Sequence, residues 1–72
     1  MNPKSCLDAA ESALKAAEQP GASHIHIEDV EEHLASYRAW RRKGGFEPEG
    51  GDARCYNLTV RLASLPTEST VI

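Results

Sequence analysis

The chain has 72 residues, a formal net charge of −3, 40% hydrophobic and 26% charged residues. A body of this size buries only about 60% of the surface its unfolded chain exposes, so it supports one core and leaves little scaffold for a catalytic cleft. The composition lies outside the disordered regime, the acidic balance gives no support to a general polyanion binder, so that any affinity for nucleic acid would have to come from a local patch, and no apolar run approaches the ~20 residues of a membrane span.

The first predicted element is a helix from about Pro3 to Glu18, because Cys6 or Leu7, Ala10, Leu14 and Ala17 recur at three- and four-residue spacing. Asn2 can cap it with Pro3 at the first helical position, or Ser5 can cap it with Asp8 three residues on. Glu11 and Lys15 pair at i,i+4, and Pro20-Gly21 ends the helix. In His24-Ile25-His26-Ile27 the isoleucines alternate with histidines, which predicts a very short strand.

A second helix is predicted at about 29–43, with Asp29 as cap, Glu32 in the capping-box position, and Val30, Leu34 and Tyr37 on the buried face. Gly44-Gly45 closes it, and Phe46 is placed to fold back on Trp40. Residues 44–54 hold four glycines and a proline and read as a flexible loop. Tyr56, Leu58, Val60 and Leu62 then alternate with Asn57, Thr59 and Arg61, predicting a strand over 55–62. The expected fold is α+β in the order α-β-α-β, two helices on a short two- to three-stranded sheet. Residues 1–63 form the compact domain and 64–72 a loose C-terminal tail. Sheet edges would offer unpaired backbone groups to a partner strand.

The N-terminus, Met1 to Ser5, runs into an amphipathic segment without a signal-peptide apolar stretch, so the chain is expected in the cytoplasm. Cys6 and Cys55 are expected to be reduced core thiols, since small secreted domains carry several closely spaced bridges. His24, His26 and His33 could join a cysteine around zinc, but neither cysteine has a near neighbour, and no metal or other cofactor is expected. Glu47, Glu49 and Asp52 on a solvated loop would keep ordinary carboxylate behaviour, and nothing sets a nucleophile beside a base, so no catalysis is expected. Asn57-Leu58-Thr59 matches a glycosylation sequon inside a predicted strand and is read as accidental.

Acids at 28, 29, 31 and 32 and the cations Arg38, Arg41, Arg42 and Lys43 sit at opposite ends of the second helix, where both complement its dipole. The basic end also carries Tyr37, Trp40 and Phe46, a combination enriched in binding hot spots. Arg38, Trp40, Arg41, Arg42, Lys43 and Phe46 are therefore the candidate partner-binding residues, cations for steering and aromatics for anchoring. A nucleic-acid-binding module using the same cations is an alternative, as is an anti-defence or other protein inhibitor.

In length, mild acidity, an Ala/Arg/Gly/Glu-rich composition and its order of short elements, from Asn2-Pro3-Lys4 to the Cys55-to-Leu62 segment, the chain resembles the small phage-encoded host-takeover proteins that bind RNA polymerase, of the lytic Xanthomonas phage type. The resemblance spans the whole chain and implies a regulator that sits on host RNA polymerase, inhibits initiation and promotes antitermination. It carries over no individual position.

Overall fold

The computed structural model describes residues 2–65, which form three helices: α1 (Pro3–Ala17), α2 (His24–Arg42) and α3 (Gly51–Ala63). Among these residues there is no strand, so the α+β expectation is overturned in favour of an all-helical domain. The tail expected from 64 onward falls largely outside the described residues. No described helix is long and apolar enough to cross a membrane.

The first helix forms as its sequence dictates. The Asn2 side-chain oxygen accepts from the backbone N–H groups of Lys4 at 3.0 Å and Ser5 at 3.2 Å, with Pro3 in the first turn. This satisfies two of the amide groups that a helix start leaves without internal partners. Leu7, Ala10 and Leu14 are its buried stripe, and Gly21 (φ 76°) turns the chain towards α2.

The predicted strand at 24–27 is instead the first turn of α2. Ser23, not Asp29, caps it, its hydroxyl accepting from Ile25 N–H at 3.2 Å. Four alternating residues fit either period, and position decides between them: in a strand Ile25 and Ile27 would share a face, whereas here Ile25 is 62% exposed and Ile27 half-buried. Ile27 opens a stripe that continues through Val30, Leu34 and Tyr37 at helical spacing.

The predicted strand at 55–62 is likewise helical. The apparent alternation combines two i,i+4 pairs on opposite faces of α3: Leu58 and Leu62 turn inward, while Tyr56 and Val60 are 69% and 45% exposed. Cys55 extends the inward face by one turn. The glycine-rich connection is correspondingly shorter than expected, since residues 51–54 belong to α3. Gly50 takes a left-handed conformation (φ 67°) to start that helix. The carboxylate of Glu47 accepts from Asp52 N–H at 3.0 Å, supplying the cap that Gly50 cannot.

Leu7, Ala10, Leu14, Val30, Leu34, Tyr37, Cys55 and Leu58 make the core, with Cys6, Ala13, Leu62 and Leu65 packed against it. Helices α1 and α2 are its main walls, and α3 closes it with lighter contacts to both. Arginines fasten α3 to its neighbours: Arg54 reaches Asp8 at 2.8 Å and Glu11 at 2.6 Å, and Arg61 meets Glu18 at 2.9 Å.

Candidate functional site

Because α3 touches α2 only lightly, an open groove of about 530 Å³ runs between them, lined by Tyr37, Arg38, Arg41 and Arg42 from α2 and Asp52, Cys55, Tyr56 and Thr59 from α3. Its floor is a fixed polar network. Arg41 grips Asp52 through two nitrogens, Nε to Oδ1 at 2.9 Å and Nη2 to Oδ2 at 3.0 Å, and donates to the Gly45 carbonyl at 2.7 Å. The Tyr37 hydroxyl donates to the same carboxylate at 2.8 Å. Glu47 lies 3.8 Å from Arg41.

The charge states follow from these contacts. The Arg41 guanidinium, and then the Tyr37 hydroxyl, hold the Asp52 carboxyl below the usual carboxylate range. Burial and the adjoining carboxylate push the Tyr37 phenol upward. Burial also raises the Cys55 thiol, so it stays protonated near neutrality. One rim is cationic: Arg38 Nη2 donates to the Thr59 hydroxyl at 2.7 Å, Thr59 in turn donates to the Cys55 carbonyl at 2.8 Å, and Arg42 is exposed. Tyr56 stands at the opposite rim with most of its ring in solvent.

The structure divides the six residues expected to bind a partner. Arg38 and Arg42 are exposed at the groove, whereas Arg41 is held inside the chain by Asp52, Glu47 and the Gly45 carbonyl. Lys43 is exposed just past the groove as the C-cap of α2. Trp40 and Phe46 do not line the groove; they close the end of α2, with ring centroids 5.6 Å apart in an edge-to-face contact and the indole N–H donating to the Phe46 carbonyl at 3.0 Å. Gly45 is required there, because a Cβ would run into the Trp40 ring. Phe46 nonetheless remains 64% exposed.

Tyr56 and Thr59 escaped the sequence reading because a strand would have turned Tyr56 to the same side as Leu58; Asp52, expected as a solvated loop carboxylate of ordinary behaviour, instead sits in the first turn of α3 and is lowered by Arg41. The spacing of Cys55, Leu58 and Leu62 carried the helical signal that would have placed Tyr56 outside. The histidines converge on no cysteine: Cys6 donates to the His33 carbonyl at 3.0 Å, and among the described residues no group of His, Cys, Asp and Glu is arranged to hold a metal ion. Comparison with protein-family models, curated proteins and solved structures finds no match to the chain.

Proposed function

We propose that this protein is a non-catalytic binding module that docks on a larger protein through the groove between α2 and α3. The observation that carries this reading is the exposed Tyr56 facing a rim on which Arg38 and Arg42 have no carboxylate partner among the described residues. Tyrosine and arginine are the side chains that most often dominate interface energies, because a flat ring and a guanidinium each gain large contact or bidentate hydrogen bonds at modest entropic cost. An acidic segment of the partner carrying an apolar side chain would complement both rims.

The same groups argue against acid–base or nucleophilic chemistry in the groove. Asp52 is held charged, while Tyr37 and Cys55 are held neutral, so none of them changes protonation near neutral pH as a general acid or base must. The resemblance in composition and size puts bacterial RNA polymerase first among partners, where docking would inhibit initiation and promote antitermination. The test is titration of purified RNA polymerase with fluorescently labelled protein. Saturable binding that is weakened by Tyr56→Ala and by Arg38→Ala supports the reading; absence of binding removes this partner, and binding indifferent to both substitutions removes the groove.

A further inference from the structure

With α2 beginning at His24, its acids lie beyond the first turn, which contains none. The helix dipole acts mainly within that turn, so it does not account for carboxylates at Glu31 and Glu32. Intramolecular pairing does not account for them either. Among the described residues, the cations without a carboxylate partner are Arg38, Arg42 and Lys43. The carboxylates without an arginine or lysine partner are Glu28, Asp29, Glu31, Glu32 and Glu49; Glu28 has only His24, at 4.0 Å. All but Glu49 are on α2 or its cap, acids towards one end and bases towards the other. Like charges three and four residues apart mildly disfavour a helix, so a countercharge from outside the chain would stabilise this segregated acidic stretch.

We propose that the outer face of α2 pairs antiparallel with α2 of a second copy. Glu28, Glu32, Ala35 and Arg42 are exposed and recur at four-, three- and seven-residue spacing, away from the buried Val30, Leu34 and Tyr37. A twofold axis at Ala35 sets Glu28 against Arg42 of the second copy, while Arg38 stays turned towards Thr59 of α3. Symmetry makes the Glu28–Arg42 contact twice. The small side chains of Ala35 and Ser36 at the crossing let the helix axes approach to the usual 8–10 Å, roughly. The same order brings the exposed Ile25 of one copy towards the end of α2 from which the exposed Phe46 of the other emerges. Parallel pairing would instead put acids on acids and bases on bases. Self-association and the groove share Arg42, but Glu28 lies outside the groove, so its substitution reports on self-association alone.

Sedimentation equilibrium at low salt over the micromolar to millimolar range tests the proposal. The wild type is expected to show a monomer–dimer equilibrium that weakens with salt. Glu28→Arg alone and Arg42→Glu alone are each expected to weaken it at least roughly tenfold, because each sets like charges together twice. An equimolar mixture of the two variants restores dimers, since the arginine introduced in one variant then faces the glutamate introduced in the other, while the native Glu28–Arg42 pair survives at the opposite end. Circular dichroism confirms that both variants keep their helices. A wild type that stays monomeric, or a mixture no more dimeric than its components, overturns the antiparallel pairing.

Discussion

Asp52 is the residue on which the α2–α3 junction depends, since Arg41 and Tyr37 both direct donors at its carboxylate. Tyr37→Phe keeps the buried ring and removes only the hydroxyl, so it is expected to destabilise by about 1 kcal/mol in urea unfolding. Acid sensitivity has a defined sign. The carboxyls of Asp8, Glu11 and Asp52 are lowered in the folded state, so the unfolded chain binds protons first as pH falls. Their contribution is complete above the ordinary carboxylate range and is lost as pH drops through the lowered values. The melting temperature is therefore expected to fall between about pH 5 and pH 2. Asp52→Asn should flatten part of that dependence, and an unchanged profile would show that the Arg41 pair contributes nothing. Cys6 and Cys55 are raised chiefly by burial, so native protein is expected to react with iodoacetamide far more slowly than urea-unfolded protein.

At the level of elements, α3 yields the sharpest contrast between helix and strand. A strand would bury Leu58 and Val60 together, whereas the helix buries Leu58 and exposes Val60. Leu58→Ala is expected to cost about 2–4 kcal/mol and Val60→Ala about 0.5 kcal/mol or less, measured by chemical denaturation. Comparable losses at both positions would contradict the helical register. The first helix was legible in the sequence because its cap, its proline and four apolar positions all point to one period. The other two were partly hidden. His24 to Ile27 is too short a run for periodicity to separate strand from helix, and in Tyr56 to Leu62 two helical faces happen to interleave as an alternation. The basic rim of the groove was visible as Arg38 and Arg42, while Tyr56 and Asp52 became neighbours of that rim only once α3 existed. The closure of Phe46 on Trp40 was legible because Gly44-Gly45 permits the sharp exit from α2 that brings it about.

Across the whole molecule, the core is small and α3 depends on arginines as well as on Cys55, Leu58 and Leu62 for its position. Arg41 ties it to α2, and Arg54 and Arg61 tie it to α1. These pairs are partly solvated, so each contributes little alone, and their common role is to fix where Tyr56 stands relative to Arg38 and Arg42. Arg54→Ala is accordingly expected to loosen the groove before it unfolds the domain, detectable as faster amide exchange in α3 than in α1. Among the described residues, the charges left over after this internal pairing, Glu49 apart, gather on α2 and its cap, where both the groove rim and the self-complementary outer face are found. The most direct measurement of the docking role is affinity capture from nuclease-treated bacterial lysate. Wild type is compared with a folded Arg38→Ala/Tyr56→Ala variant, and the retained proteins are identified by mass spectrometry. Docking through the groove predicts that wild type retains a defined complex, RNA polymerase first among those expected, and that the variant loses it. Equal retention by both proteins, or no complex on the wild type, would contradict it.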